Sequence, residues 1–168
     1  MTNAAIAQRL RTSLLGTREE TPSDAAFLFT LFCRSRLPVE DFSFLDAATR
    51  ETLLLQQFRG QTESYRSQYP NARFTILEAE GQPIGRVVTH RDAEAFRIVD
   101  IALLPEWRRK GIGAHILREI CESARAENVP VRLSLSPFNI DAFRLYCRLG
   151  FAPLDQDEIQ IFMEWRAS

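Results

Sequence analysis

The sequence predicts an α/β chain (α+β by some schemes), a single domain over residues 1–168 with a central mixed, mostly antiparallel sheet flanked by helices. Three observations carry this expectation. The first 70 residues are mainly helical in pattern, residues 73–104 alternate like strands between turn signals, and the remainder runs strand-helix-strand-helix before two closing strands. A chain of 168 residues can bury a core of its own without a metal or disulfide staple.

Taken in order, a first strand is expected near Arg9 to Leu15. Thr21-Pro22-Ser23-Asp24 is a helix-start signal, and Phe27, Leu28, Leu31 and Phe32 then mark the apolar face of a helix over Ala25 to Arg36. Leu37 to Asp46, with Pro38, Phe42 and Phe44, reads as a loop carrying exposed or half-exposed aromatics. A long helix follows from Ala47 to Gln68, its face marked by Leu54, Phe58 and Tyr65 and its end by Pro70-Asn71.

Arg73 to Ala79 and Ile84 to His90 alternate on either side of the turn Glu80-Gly81-Gln82-Pro83, the pattern of an antiparallel hairpin. Phe96 to Leu104 is apolar except for Arg97 and Asp100, which suits a central strand, and Pro105 closes it. From Gly111 the period becomes helical, with Ile112, Ile116, Leu117, Ile120, Cys121 and Ala124 in one stripe ending near Asn128. Val131 to Leu135 is a short strand and Asn139 to Leu149 a helix capped by Gly150. Phe151 to Leu154 and Glu158 to Trp165 complete the sheet.

Composition excludes several classes of function. Net charge is −1, so no bulk attraction to nucleic acid or to an acidic membrane is expected. No run of apolar residues is long enough for a membrane span, and Arg9 and Arg11 interrupt any signal-peptide core, so the expected location is the cytoplasm. Cys33, Cys121 and Cys147 lack Cys-x-x-Cys spacing and nearby histidines, and are expected to be buried thiols with no metal bound.

The chemistry concentrates where Arg108-Arg109-Lys110-Gly111-Ile112-Gly113-Ala114 joins a strand to a helix. A helix start turns free backbone N–H groups and the positive end of its dipole outward, which favours an anion. Glycines at 111 and 113 allow close approach, and three basic side chains add positive potential. The lysine pattern of phosphate-binding loops is absent, and Ile116 stands where a dinucleotide fingerprint needs its third glycine.

The run from Asp100 to Gly113 resembles the signature of the GNAT acyltransferase superfamily, whose pattern of Arg or Gln, two residues, Gly, one residue, Gly or Ala is met by Arg108, Gly111 and Gly113. Asn139, Ala142, Tyr146, Gly150 and Phe151 resemble the family's next helix. The resemblance implies that acetyl-CoA is the co-substrate. Backbone amides of Arg109, Lys110, Gly111, Ile112, Gly113 and Ala114 would hold its pyrophosphate, and the strand end at Ile101, Ala102 and Leu103 would pair with the pantetheine arm. It also implies splayed strands at that place, an oxyanion-stabilising N–H near Leu103, and direct attack by a neutral amine.

Tyr146 matches the family's acid position, and an ordinary core tyrosine is the competing reading. Asn139 is either a bridge to the co-substrate or a helix cap, and the two roles are compatible. Asp100 is a candidate base or the partner of Arg97 or of a neighbouring-strand arginine, with the ion pair favoured. Where many relatives carry a glutamate this chain has Arg97. Phe42, Phe44, Tyr65 and Tyr69 are candidate walls of the acceptor pocket, or core packing residues, and His90 beside that pocket is a candidate proton acceptor or a surface histidine. The expected reaction is N-acetylation of a small-molecule amine. A protein N-acetyltransferase, a non-catalytic CoA-binding or interaction module and a nucleotide-binding domain are the alternatives, and homodimerisation is left open.

Overall fold

A computed structural model of the protein describes residues 15–35 and 44–167. Its strands are β1 (Leu15–Glu19), β2 (Arg73–Ala79), β3 (Gln82–Arg91), β4 (Phe96–Leu103), β5 (Val131–Leu135), β6 (Ala152–Gln156) and β7 (Ile161–Trp165). The helices are α1 (Ala25–Ser35), α2 (Ala47–Gln68), α3 (Ile112–Ala126) and α4 (Ile140–Arg148). All seven strands share one sheet in the order β1-β2-β3-β4-β5-β7-β6, antiparallel except between β4 and β5. The expected mixed, mostly antiparallel architecture is therefore borne out, with β4 at its centre.

The first strand was expected at Arg9 to Leu15 and is found at Leu15–Glu19. Residues 9–14 of that expectation lie outside the described residues, as do Phe42 and most of the loop before α2. Arg18 and Glu19 obscure the alternation of β1 because its pairing is helped by charge. The Arg18 guanidinium bonds to Glu78 of β2 at 2.7 Å and to both oxygens of Asp24 at 2.7 and 2.8 Å, tying the start of α1 to the sheet.

Strand alternation sorts the sheet into two faces. In the β3–β4 register Arg86 lies opposite Ala102 and Val88 opposite Asp100, all on the face covered by α1. Val87 and Ile101 share the other face, where Ile112 and Ile116 of α3 pack. The apolar stripe of α3 continues through Leu117, Cys121 and Ala124 into a core completed by Ile98, Val131, Met163, Tyr146 and Phe151. By contrast, α2 buries no residue, and its Phe58 meets Phe29 and Phe32 of α1 at ring distances of 5.7 and 5.5 Å.

The cysteines differ from one another. Cys121 is buried, with its thiol pushed up to about 11 mainly by desolvation, whereas Cys147 is exposed, contrary to its expected burial. No helix among the described residues is long and apolar enough to cross a membrane.

Candidate active site

The parallel pairing of β4 with β5 covers only Phe96 to Ile98 against Val131 to Leu133. Between Val88 and Thr89 the β3 register passes from Asp100 to Ile98, so Val99 is an extra residue and β4 bulges there. A bulge bends its strand and increases local twist. Beyond it, β4 stays with β3 while β5 stays with β7, and a gap opens between β4 and β5.

The gap exposes backbone groups. Leu104 N–H bonds to Ile84 O at 2.9 Å on the β3 side, so alternation turns the amides of Leu103 and Ile101 toward the opposite edge, into the gap. Arg108 closes part of that edge by donating from Nε to Leu103 O at 2.9 Å and from Nη2 to Arg34 O at 3.4 Å. Its guanidinium thus holds the strand end to α1. Of the three expected basic side chains, Arg109 is exposed and 3.9 Å from Asp141, and Lys110 lies 4.8 Å over the Trp107 ring.

The turn itself is built for donors. Arg109 and Gly111 have φ of 59° and 83°, left-handed positions that curl successive peptide groups into a concave arc. The first N–H to reach a helical carbonyl is that of His115, bonded to Gly111 O at 3.0 Å, so the amides of Ile112, Gly113 and Ala114 are the open donors of the α3 start. No side chain caps this end. A Cβ on Gly113 would meet only Leu145 Cδ2, at an ordinary 3.8 Å, so chain packing does not require glycine there. The fold leaves that space open in front of the amides, which fits the close approach of a phosphate.

Tyr146 on α4 is buried against Phe151, with ring centroids 5.6 Å apart. Burial, helped by the negative charge of Asp100, pushes its phenol up to about 12, so it keeps its proton at neutral pH. Asn139 caps α4 by accepting from Ala142 N at 3.2 Å. Asp100 is held by Arg86 of the neighbouring strand, Nη2 to Oδ2 at 2.7 Å, while Arg97 turns away to Asp92 at 2.8 Å. Asp92 lies at about 2, held there chiefly by the Arg97 hydrogen bond and by the backbone N–H groups of Glu94 and Ala95.

On the α1 face a cavity of about 400 Å³ reaches the gap at Ala102 and Ser136. Leu28, Leu31 and Phe32 give it an apolar side, and Gln57, Gln61, Arg86 and Asp100 a polar one. Among the described residues, none of the expected aromatic walls or His90 lines it. Phe44 is 78% exposed, and the ring of His90 lies 5.3 Å from that of Tyr69 at a tilt of 52°, neither residue lining the cavity. Tyr65 lies by Arg86, 5.9 Å from ring centroid to guanidinium, and its phenol is pushed up by burial and then by Asp100. Asp100 thus takes the neighbouring-strand arginine expected for it and not Arg97, because a carboxylate in an apolar central strand requires a cation nearby and Arg86 is the arginine inside the adjoining strand. Gln57 and Gln61 were not anticipated.

A central sheet that parts beside a donor-lined turn, with a cavity opening onto the parting, can seat a phosphate-bearing ligand beside a small partner. The model of the acetyltransferase (GNAT) family matches residues 38–151, and the chain belongs to that family. Among solved structures it resembles the PaiA N-acetyltransferase from Thermoplasma acidophilum in complex with coenzyme A, at 19% identity and TM-score 0.68, covering 91% of this chain and 99% of that one. It also resembles a spermidine N-acetyltransferase SpeG chimera from Vibrio cholerae and hSSAT, at 18% identity and TM-score 0.61 over 91% and 95% of the two chains. A third is the ribosomal-protein-S18-alanine N-acetyltransferase from Escherichia coli, at 16% identity and TM-score 0.62 over 90% and 93%. At these identities the likeness is one of fold. A comparison with curated proteins returns no match.

Proposed function

We propose that the protein is an acetyl-CoA-dependent N-acetyltransferase acting on a primary amine of a small molecule in a ternary complex. The observation that carries this reading is the continuity of three features: the donor-lined turn at residues 109–114, the gap beside Leu103, and the cavity beyond Ala102. A cavity of about 400 Å³ suits a small acceptor.

When bound, acetyl-CoA supplies an acyl group activated as a thioester. The amides of Ile112, Gly113 and Ala114 would hold its pyrophosphate, and the gap-facing groups of Ile101 and Leu103 would pair with the pantetheine arm. Leu103 N–H would then stabilise the carbonyl oxygen as it gains negative charge. The acceptor must attack as a free amine, so its ammonium proton is lost first. As the N–C bond forms and the C–S bond breaks, the nitrogen would lose its second proton to Asp100 or water, and Tyr146 would give its own proton to the departing thiolate and regain one from solvent. Asp100 and its partner Arg86 stand on the acceptor side, where Asp100 would orient the amine or accept its proton.

Calorimetry with acetyl-CoA, followed by thiol release over a panel of amines, tests the reading. Gly113→Val should weaken acetyl-CoA binding by about a hundredfold, since it fills the space before the amides, while thermal unfolding changes little. This is the cleaner variant of the two glycines, because Gly111 sits at φ 83° and its replacement would strain the turn whatever binds there. Unaltered acetyl-CoA affinity in folded Gly113→Val would remove the turn from the site.

A further inference from the structure

We propose that the acceptor is a small amine that also carries a carboxylate and an apolar body, an amino acid or close analogue, with Arg86 as the residue that selects for the carboxylate; this rests on the N-acetyltransferase reading above. The inference comes from unspent hydrogen-bonding capacity around the cavity. Arg86 is 5% exposed, yet among the described residues its Nε has no partner and its Nη1 comes only to 3.8 Å from Glu20 Oε2. A guanidinium has five N–H donors, and here the short contact is the one from Nη2 to Asp100. Buried donors are nearly always satisfied, so a lining cation whose Nε is unspent and whose Nη1 is only loosely held by Glu20 is suited to a ligand acceptor group. A carboxylate matches a guanidinium best, through two parallel hydrogen bonds.

The rest of the wall narrows the class further. Among the described residues Gln57 Oε1 has no partner, and Gln57 lines the cavity, so its amide is suited to accept from an N–H of the ligand. Asp100 is the acidic residue lining the cavity among the described residues, and Arg86 already engages one of its oxygens. A polyamine would bring two or more positive charges to a wall that offers one shared carboxylate and a buried arginine, and desolvating them there is costly. A zwitterion brings one charge of each sign. Its carboxylate would face Arg86, its amine would lie toward Ala102 and Ser136 at the gap, and its side chain would rest on Leu28, Leu31 and Phe32.

Matched pairs test this without altering the protein: leucine against isopentylamine and methionine against 3-methylthiopropylamine, titrated into the full chain loaded with coenzyme A, with spermidine as the polycation arm. The carboxylate-bearing member should bind about tenfold tighter or better. In Arg86→Gln that ratio should fall to about one while acetyl-CoA affinity is kept within about twofold. Should Arg86→Gln not fold, Gln57→Leu serves, with an expected loss of about fivefold in amino-acid affinity. Equal or tighter binding of the plain amines or of spermidine overturns the proposal, as does a ratio that survives Arg86→Gln. No amino-acid binding to a chain that does bind acetyl-CoA overturns it too and leaves the acetyltransferase reading standing. A chain that binds no acetyl-CoA overturns that reading first.

Discussion

The turn and helix that begin at Arg108 and the two helices before β2 are built on different physics. On the turn side, backbone geometry and apolar packing do the work. Amides of Ile112 to Ala114 open outward, and behind them α3 presses Leu117, Cys121 and Ala124 into the core. On the acceptor side no residue of α2 is fully buried, and much of the order comes from charged contacts, Arg18 with nearby Asp24 and, at long sequence distance, Arg18 with Glu78 and Arg66 with Glu20 at 2.8 Å. Changes on the first side should therefore show as large losses of rate or fold. Changes on the second should be graded and depend on pH.

The largest effect is expected at Tyr146. Tyr146→Phe removes one hydroxyl from a buried ring, and if the phenol supplies the proton to the leaving thiolate, kcat should fall by about a hundredfold or more with acetyl-CoA affinity retained. Because burial holds the phenol near 12, the wild-type rate should show no loss from tyrosine ionisation up to about pH 10. A stopped-flow pH profile reads both. A kcat within about twofold of wild type would return Tyr146 to a packing role.

Next comes Gly85, whose importance lies wholly in the structure. A Cβ there would lie 2.7 Å from Leu103 Cδ2 and closer still to Ala102 O, a backbone atom that cannot move without shifting β4. Gly85→Ala should cost about 2–3 kcal/mol of stability, read as a lowered urea midpoint, and should weaken acetyl-CoA binding by displacing the strand end at the gap. The contrast with Gly113 is sharp, since the same added methyl there meets ordinary contact. Full stability in Gly85→Ala would mean that β3 and β4 can separate locally, and the rigid description of this side would fail.

The same division decides what could be read from sequence. The bounds of α2, β2 and β5 coincide with those expected from caps and periodicity, because each depends on local signals: Asp46 accepts from Thr49 N, and Pro70 follows the helix end. The anion turn was legible for a similar reason, since Gly111 and Gly113 announce a backbone feature. The bulge at Val99 was not, because nothing in Ile98-Val99-Asp100 distinguishes a bulged strand from a regular one. A neighbouring-strand arginine as the partner of Asp100 was legible, but the burial of Arg86 was not, since its register opposite Ala102 and its diagonal reach to Asp100 decide it. Of the residues expected at the pocket, the described Phe44, Tyr65, Tyr69 and His90 do not line the cavity, because periodicity marks which residues are apolar and not which face a cavity. Phe44 is exposed, while Gln57 and Gln61, polar in the sequence, line the site.

On the acceptor side, Asp24 should give a smaller, pH-dependent effect. It is buried, and the hydrogen bond from Arg18, joined by that from Thr21 N at 2.8 Å, holds its carboxyl well below the ordinary carboxylate range. A carboxylate depressed on folding adds stability above its unfolded value, near pH 4, and that stability is lost as pH falls through the folded value. Asp24→Asn should lower Tm by about 3 °C at pH 7 and flatten the decline in Tm below about pH 4, measured by calorimetry across a pH series. An unchanged acid limb would show that the Arg18–Asp24 bridge adds no measurable stability and that Arg18 serves the sheet through Glu78 alone.

The smallest effect is expected at Gly60, in the interior of α2. Its backbone is helical and a Cβ would find nothing within 4 Å, so no packing opposes a side chain there. Gly60→Ala should then stabilise the chain by about 0.5–1 kcal/mol, through the entropy a glycine loses on entering a helix, and raise Tm by about 2 °C. Acetyl-CoA binding, set on the other side of the sheet, should not change. The acceptor is different, because Gln57 and Gln61 flank Gly60 and both line the cavity. If α2 must bend at Gly60 to admit an acceptor, the alanine variant will be more stable yet show a raised KM for the amine. A KM equal to wild type would instead mean that the glycine is a plain local weakness in a helix held at its ends, and that the cavity wall is preformed.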